Sequence, residues 1–160
     1  MKCRHCGATL IYTFLDLGFA PPSNAYLTQP DLKKTEKYYP LHIKVCDQCW
    51  LVQTEDYTDA NELFSRDYAY FSSTSSGWLD HAKNYSEKII KELELTDKSM
   101  VFEIASNDGY LLKNFIASGI PCLGIEPTES TAAAAEQLGI PVLREFFSYK
   151  LSIQLIKKEL

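Results

Sequence analysis

The sequence predicts an α/β protein in which a small, β-rich, metal-binding domain precedes part of a parallel sheet flanked by helices. Two observations support this prediction. Two C-x-x-C pairs, Cys3/Cys6 and Cys46/Cys49, lie among short apolar runs that have no helical periodicity. After residue 100, short apolar runs alternate with amphipathic segments, which is typical of successive β-α units.

The N-terminal strands are predicted from apolar and β-branched runs around the cysteine pairs. They cover residues 10–12, 41–45 and 50–53. The segment Gly18–Asn24 is predicted to be a loop, because Pro21 and Pro22 have no backbone N–H to donate to a strand ladder.

The middle of the chain changes from an irregular segment to a helix. The segment Asp67–Gly77 is polar and rich in serine, yet it contains Tyr68, Tyr70 and Phe71. A flexible linker has few aromatic residues, so we expect this segment to pack against the protein. Over residues 78–93, apolar residues recur at steps of three and four, which predicts an amphipathic helix.

The last part of the chain has the pattern of three β-α units. The strands are predicted at residues 100–105, 121–126 and 140–146, and the helices at residues 111–116, 130–138 and 151–160. Gly119 and Gly139 fit the C-terminal ends of the first two helices. This alternation implies a parallel, right-handed, doubly wound sheet.

Composition and charge argue against several classes of protein. The chain of 160 residues has a formal net charge of −5 and a pI near 5.2, which disfavours broad binding of nucleic acids or anionic membranes. No apolar run approaches the ~20 residues of a membrane-spanning helix. The N-terminus lacks the apolar stretch of a signal peptide, so we expect a cytoplasmic, reducing environment in which disulfides are rare.

The cysteine pairs predict a metal site with the pattern C-x2-C-x39-C-x2-C. Cys3, Cys6, Cys46 and Cys49 supply four thiolates, which can complete a tetrahedron around one zinc ion. Four protein ligands leave no position for water, so the zinc is expected to be structural. Rubredoxin-like iron is the alternative metal, since tetrahedral sulfur sites accept both. Unrelated buried cysteines are the alternative to a metal site.

The other candidate ligands are assigned simpler roles. His5 lies inside a cysteine turn and His42 in a predicted strand, and both are expected to be solvated or core histidines. Cys122 lies on a predicted buried strand and is expected to behave as a small apolar residue.

A second candidate site follows the first strand of the parallel sheet. That strand contains Glu103 and leads into a turn that ends at Gly109 before a helix, which is the usual frame of a nucleoside cofactor. The G-x-G-x-x-G motif is absent, and Asp108 places negative charge where phosphates would bind. S-adenosylmethionine fits better, because it has a sulfonium and no phosphate. Glu126 ends the next strand, where an acidic residue accepts hydrogen bonds from ribose hydroxyls; a solvated loop carboxylate is the alternative.

These motifs resemble those of the S-adenosylmethionine-dependent C-methyltransferases that act on nucleotide-linked deoxysugars. The resemblance runs over the whole chain and is most specific in the SNDG turn at 106–109 and the GIEP sequence at 124–127. The other matching parts are the cysteine pairs, Asp16–Gly18 with the following proline and Asn24, Leu51–Gln53 after Cys49, Tyr68–Ser73 and Glu103–Leu112. Family members combine a zinc-binding domain, a Rossmann-like class I methyltransferase domain and a C-terminal domain.

The resemblance implies roles for individual residues. The methionine side of the cofactor would be lined by Glu103, Ala105, Ser106, Asn107, Asp108 and Gly109. Glu126 would bind the ribose, and Tyr68 and Tyr70 would close over the cofactor or the sugar; packing between the domains explains the two tyrosines nearly as well. The substrate would be a nucleotide-linked keto-deoxysugar.

The resemblance also divides the chain. Residues 1–70 correspond to the zinc-binding domain, 71–99 to a linker and helix, and 100–160 to a partial S-adenosylmethionine-binding domain. The base of the family, a histidine beside a glutamate, is expected beyond residue 160, and no such pair is expected within the chain. No catalytic residue is therefore assigned, and we expect a fragment of a longer enzyme that is inactive by itself.

An interaction module is the competing interpretation. A zinc ribbon with a non-catalytic α/β appendage would recognise protein or nucleic acid. The acidic charge disfavours nucleic acid, and a solvated loop explains the basic cluster of Lys33, Lys34 and Lys37. Neither nucleic acid nor membrane is expected as a partner. An incomplete sheet would expose an apolar edge after its third strand, so self-association is expected.

Overall fold

The computed structural model describes residues 1–66 and 68–157. Asp67 of the predicted linker and residues 158–160 of the predicted last helix lie outside the described residues. The chain divides into two compact units, Met1–Leu63 and Phe64–Leu160. The described residues form one three-stranded sheet in each unit.

The first unit is built on an antiparallel sheet with the strand order β1-β2-β3. The strands are β1 (Tyr12–Ala20), β2 (Tyr39–Val45) and β3 (Val52–Thr54). A short 3-10 turn at Asp31–Lys33 lies between β1 and β2, and the four-residue helix α1 (Ala60–Leu63) follows β3. The strands predicted at 41–45 and 50–53 are present with shifted ends, whereas β1 shares only Tyr12 with the strand predicted at 10–12.

The first strand extends into residues that the sequence predicted to be a loop. β1 continues past Gly18 to Ala20, so the irregular segment begins only at Pro21. Gly18 has a φ of +76°, and its N–H donates to Asp16 Oδ1 at 2.8 Å. The pairing with β2 shifts register between Asp16 and Phe19, and this bulge absorbs the glycine turn without ending the strand.

Little apolar surface is buried in the first unit. Its buried cluster consists of Cys3, Leu10 and Cys46, with Ala8 and Cys49 packed against it. All nine residues of β1 are at least partly exposed, and the exposed fractions of Phe14 and Phe19 are 65% and 67%. Within residues 1–63, all of which the structure describes, the cysteine cluster is therefore the centre of the buried apolar packing.

The second unit begins with a long helix and continues as three β-α units. Helix α2 covers Ser76–Glu92, and the Ser75 side chain at its N-terminus accepts a hydrogen bond from the Trp78 N–H. The strands are β4 (Val101–Ile104), β5 (Cys122–Ile125) and β6 (Val142–Leu143). The helices that follow them are α3 (Leu112–Ala117), α4 (Glu129–Gln137) and α5 (Tyr149–Lys157).

The second sheet confirms the predicted parallel alternation. β5 pairs in parallel with β4 on one side and with β6 on the other. β6 is shorter than the predicted strand at 140–146, because the chain turns after Leu143, whose carbonyl accepts from the Glu145 N–H at 3.0 Å. Gly119 (φ +72°) and Gly139 (φ +80°) lie just past α3 and α4, as predicted.

Apolar side chains are buried on both faces of the parallel sheet. Successive residues of a strand point to opposite faces, so Cys122 packs with α3 and α4 while Leu123 packs with α5. The first face buries Leu112, Phe115, Ile120, Cys122, Ala135 and Ile140. The second face buries Leu123, Ile125, Leu151 and Leu155. Helices on both faces are the arrangement of a doubly wound sheet.

The most exposed apolar side chains of this sheet lie on a different strand from the one expected. β4 is at one end of the strand order, and the exposed fractions of its Phe102 and Ile104 are 39% and 55%. The sequence analysis placed the apolar edge after the third strand, but the two residues of β6 are half-buried. β6 is the other end strand of the described sheet, so self-association through the edge after the third strand stays a prediction.

Candidate functional site

The two cysteine pairs meet in the first unit. The sulfur atoms of Cys3, Cys6, Cys46 and Cys49 all lie within 4.8 Å of one another. Cys3 Sγ is 3.6 Å from Cys49 Sγ, and Cys6 Sγ is 3.5 Å from Cys46 Sγ. A tetrahedral zinc ion with Zn–S distances of ~2.3 Å holds its sulfur atoms about 3.8 Å apart. The four thiols therefore fit one zinc ion in the fold as it stands.

The two cysteine turns have the same backbone geometry. The Gly7 N–H donates to the Cys3 carbonyl and the Trp50 N–H to the Cys46 carbonyl, both at 3.0 Å. Gly7 has a φ of +76° and Trp50 a φ of +62°, so each turn closes on a left-handed residue. Because the second turn includes Trp50, β3 begins at Val52 and not at residue 50 as predicted.

Hydrogen-bond donors point at two of the sulfur atoms. The Gln48 N–H donates to Cys46 Sγ at 3.4 Å, and the Gln53 side-chain amide donates to Cys3 Sγ at 3.3 Å. The backbone N–H of Cys6, together with the Gln53 amide, lowers the pKa of Cys3 to about 6. These donors favour the thiolate form that binds metals.

The four thiols cannot all ionise easily without a cation. The Leu51 N–H favours the thiolate of Cys49, but burial and the other three cysteines outweigh it and raise the pKa of Cys49 to about 12. A bound dication removes this conflict, because it stabilises all four thiolates together. The donor set and its charge therefore fit a closed zinc site.

One histidine of the first unit has acidic neighbours that the sequence analysis did not anticipate. His42 Nε2 is 3.1 Å from Asp16 Oδ1, and His42 Nδ1 is 3.6 Å from Glu55 Oε2. These contacts lie in the first unit and do not test the expected absence of the family's catalytic base. Asp16 pairs with His42 across β1 and β2, and Glu55 follows the neighbouring strand β3. His5 is exposed, as expected.

In the second unit, the turn after β4 lies at the carboxyl end of the parallel sheet. Ala105 and Asn107 both have left-handed backbones, with φ values of +57° and +50°. The N–H groups of Ala105 and Ser106 donate to the Ile125 carbonyl at 2.8 and 3.3 Å. The turn is thereby fixed to the end of β5, where Glu126 follows.

Two glycines allow the close packing around this turn. Gly109 has a φ of +78°, and a Cβ atom there would lie 2.4 Å from Ile140 Cδ1 and 3.1 Å from Ala135 Cβ. A Cβ atom on Gly124 would lie 2.5 Å from Ser106 Oγ. Only glycine fits at these positions without movement of the surrounding structure.

Glu126 is buried, with an exposed fraction of 5%, so it is not a solvated loop carboxylate. Its Oε2 accepts from the Asn107 N–H at 2.9 Å. Its Oε1 accepts from the Thr128 N–H at 2.9 Å and from the Thr128 hydroxyl at 2.6 Å. The structure therefore brings the two predicted residues Glu126 and Asn107 together and orients the carboxylate firmly.

The segment before α2 binds to the same turn. The Ser72 N–H donates to Asn107 Oδ1 at 2.9 Å, and Asn107 Nδ2 donates to the Tyr70 carbonyl at 3.0 Å. We call residues 70–73 the strap. Its packing on the turn agrees with the expectation that this aromatic-rich segment packs against the protein.

Both tyrosines of the predicted site contact the protein through their carbonyls. The Tyr68 carbonyl accepts from the Ser130 hydroxyl at 3.0 Å, and its ring lies edge-on to Phe64 with centroids 5.4 Å apart. The Tyr70 side chain is 51% exposed. In the strap, the Ser73 N–H donates to Asp108 Oδ2 at 3.0 Å.

Three buried side-chain oxygen atoms near the turn have no hydrogen-bond partner among the described residues: Glu103 Oε2, Ser106 Oγ and Asp108 Oδ1. Asp108 is 3% exposed. Burial raises the pKa of Glu103 to about 8, and the carboxylates of Asp108 and Glu126 add to this effect. Unpaired buried acceptors beside carboxylates favour a ligand that brings donors or positive charge.

Sequence reasoning missed several groups of this site. The backbone N–H groups of Ser72 and Ser73 could not be predicted from the sequence, because backbone donors are independent of side-chain type. Thr128 had a weak signal, since threonine is a favoured residue at a helix N-cap and Thr128 occupies that position of α4. Its contact with Glu126 two residues earlier becomes visible only in the fold.

No helix within residues 1–66 and 68–157 is both long enough and apolar enough to span a membrane.

Comparison with known proteins agrees with this geometry. Residues 3–64 match a protein family whose description is "Putative zinc binding domain". The chain is 26% identical over 147 residues to C-methyltransferase NovU of Streptomyces niveus, a match that covers 92% of this chain and 35% of that protein. The chain thus spans about a third of the length of this curated relative. The two matches relate the first unit to a zinc-binding domain and most of the chain to a C-methyltransferase.

Proposed function

We propose that this chain is the N-terminal part of an S-adenosylmethionine-dependent C-methyltransferase that acts on a nucleotide-linked keto-deoxysugar, with a structural zinc site. The observation that supports cofactor binding most strongly is the unpaired, buried Asp108 Oδ1 beside Glu103 Oε2 at the carboxyl end of the sheet. The match to a named C-methyltransferase supports the reaction class. The substrate and a cytoplasmic location stay predictions.

The acidic residues of the turn suit the positive charge of this cofactor. The carboxylates of Glu103 and Asp108 would face its ammonium and sulfonium groups, and a cation there would favour ionisation of Glu103. Ala105, Ser106 and Asn107 would line the same side. When bound, S-adenosylmethionine supplies an electrophilic methyl group. The residues of this chain bind and orient it.

Glu126 would hold the ribose of the cofactor. Each carboxylate oxygen can accept two hydrogen bonds, and Oε2 accepts one from Asn107. It therefore retains a lone pair for a ribose hydroxyl. Tyr70, the first residue of the strap, has a half-exposed side chain and would cover the ligand together with Tyr68.

The metal of the first unit is proposed to be zinc with a structural role. Four cysteines within 4.8 Å provide every ligand that a tetrahedral ion accepts and leave no position for a substrate. The matched zinc-binding family favours zinc over iron.

Titration calorimetry with S-adenosylmethionine, S-adenosylhomocysteine and NAD tests the proposed cofactor. We expect weak binding of the first two and background binding of NAD. Glu126→Ala should weaken the binding free energy of the two adenosyl ligands by about 1.5–3 kcal/mol, as expected for the loss of a hydrogen bond to a charged group. Glu145→Ala, which removes an exposed carboxylate outside the site, is the control. Preferential binding of NAD, or adenosyl binding indifferent to Glu126, would refute the proposal.

An interaction module is the second candidate, and the exposed apolar residues of β1 favour it. In that case the chain would bind a partner and no adenosyl ligand. A salt-dependent gel shift with DNA and RNA tests the nucleic-acid form of this candidate, and the acidic net charge of −5 predicts no shift.

A further inference from the structure

The Glu126 carboxylate belongs to a buried hydrogen-bond chain that extends into α4. The Thr128 hydroxyl donates to Glu126 Oε1 at 2.6 Å, and the hydroxyls of Thr128 and Thr131 are in contact. The exposed fractions of these residues are 5% for Glu126, 1% for Thr128 and 0% for Thr131. The chain is therefore shielded from water on its protein side.

The proton count determines the direction of the bond between Thr128 and Glu126. A hydroxyl has one proton to donate, and Thr128 uses it on Glu126. The Thr131 hydroxyl contacts the Thr128 oxygen and also donates to the Thr128 carbonyl at 3.3 Å. The Thr128 N–H adds a second donor to the same Oε1 at 2.9 Å. Two donors on one oxygen prevent rotation of the carboxylate.

The opposite oxygen faces the predicted cofactor turn. Oε2 accepts from the N–H of Asn107, whose side chain also binds the strap. If Oε1 were released, the carboxylate could rotate and Oε2 would lose its fixed direction. The Thr128 hydroxyl supplies one of the two hydrogen bonds that hold Oε1, and the backbone N–H of the same residue supplies the other. The side chain therefore helps to orient Oε2 toward the turn.

We propose that Thr128 is a positioning residue for ribose recognition: it fixes the Glu126 carboxylate so that Oε2 presents its free lone pair to the ribose hydroxyls of the cofactor. This inference rests on the proposed function, since it takes an adenosyl ligand as the occupant.

The test compares two ligands on three forms of the full chain. The ligands are S-adenosylhomocysteine and its analogue without the two ribose hydroxyls. The wild type should bind S-adenosylhomocysteine with an affinity about tenfold or more above that for the analogue. Thr128→Val, which keeps the shape and removes the hydroxyl, should reduce this preference to about threefold or less. Thr128→Ser, which keeps the hydroxyl, should restore it.

The selectivity ratio separates positioning from a general structural effect. If Thr128 had only a structural role, Thr128→Val would weaken the binding of both ligands equally and leave the ratio of their affinities unchanged. An unchanged ratio in Thr128→Val would therefore overturn the inference while leaving the proposed function intact. Absence of binding to either ligand by the wild type would instead refute the proposed function.

A measurement without ligand tests the hydrogen-bond chain independently. Amide hydrogen exchange should show that the N–H groups of Asn107 and Thr128 are protected in the wild type, because both donate to Glu126. Thr128→Val should accelerate exchange at Asn107 by about tenfold, and Thr128→Ser should not. Equal exchange at Asn107 in the wild type and Thr128→Val would show that Thr128 does not position the carboxylate.

Discussion

The two units contain sheets of three strands each, yet they bury very different amounts of apolar surface. In Met1–Leu63 the buried cluster is formed by Cys3, Leu10 and Cys46. In Phe64–Leu160 the sheet has a buried apolar cluster on each face, and helices cover both. In the first unit, two of the three residues in the buried apolar cluster are metal-ligand candidates.

This difference indicates two sources of stability within one chain. A domain of about 60 residues buries a smaller fraction of its surface than a larger domain does, and a metal or disulfides commonly supply part of the stability at this size. A structural zinc site contributes free energy of folding directly, because the unfolded chain has no preformed site. The second unit relies on apolar burial and can place polar, unpaired groups at the edge of its sheet. The four predictions below test this contrast.

The largest effect is expected from removal of one metal ligand. Cys46→Ser should abolish zinc binding and unfold the first unit, since zinc binding supplies on the order of 10 kcal/mol to such sites. The second unit should stay folded. Metal analysis and amide NMR spectra measure both outcomes. Cys122→Ser, which alters a cysteine outside the cluster, should keep one zinc per chain. Retention of zinc by Cys46→Ser would contradict the claim that the first unit depends on its four-cysteine metal site.

A substitution in the second unit should have a smaller effect and leave the metal in place. Gly109→Ala should lower the free energy of unfolding by about 2–5 kcal/mol, because the alanine would combine a left-handed backbone with a clash against Ile140. Gly119→Ala is the matched control, since Gly119 has a similar φ but open space around its Cβ position. It should cost about 1–2 kcal/mol. Urea unfolding gives both values, and equal costs would show that the close approach to Ile140 is unimportant.

The buried carboxyl of Glu103 predicts a pH dependence. Its pKa of about 8 lies above the ordinary value of 4.5, so the folded state binds a proton more tightly than the unfolded state. The free energy of unfolding should therefore fall as the pH rises from about 4.5 to about 8. Glu103→Gln should flatten this decline and stabilise the second unit at pH 8.5 by about 1–3 kcal/mol.

Glu145→Gln, an exposed site, is the control for this profile and should reproduce the wild-type slope. Thermal unfolding between pH 4 and pH 9 provides the measurement. A wild-type profile that rises through this window would contradict the raised pKa.

The smallest effect concerns the free edge of the second sheet. Phe102 and Ile104 are exposed on β4, so the isolated chain should self-associate through this strand. Ile104→Lys should weaken association about tenfold while changing the free energy of unfolding by less than about 0.5 kcal/mol. Leu138→Lys changes an apolar residue that is 50% exposed after α4 and should not affect association. A strictly monomeric wild type in sedimentation velocity would contradict this prediction.

Local sequence patterns predicted the elements of the second unit well. The helix over 78–93 and the strands around residues 101–104 and 122–125 follow directly from apolar periodicity. The predictions were less accurate where chain geometry depends on a partner strand. The β1 bulge at Gly18 requires the pairing with β2, and the position of β4 at one end of the sheet could not be read from the order of the elements along the chain.

The sequence by itself determined the metal-ligand set, the β-α alternation and the left-handed glycines, because these depend on residue type and spacing within short segments. The tertiary structure decided which distant groups meet. It placed His42 between Asp16 and Glu55, joined the strap to Asn107, and enclosed Glu126 with Thr128. Such contacts arise from strand order, backbone donors and burial, and none of these is encoded at a fixed spacing along the chain.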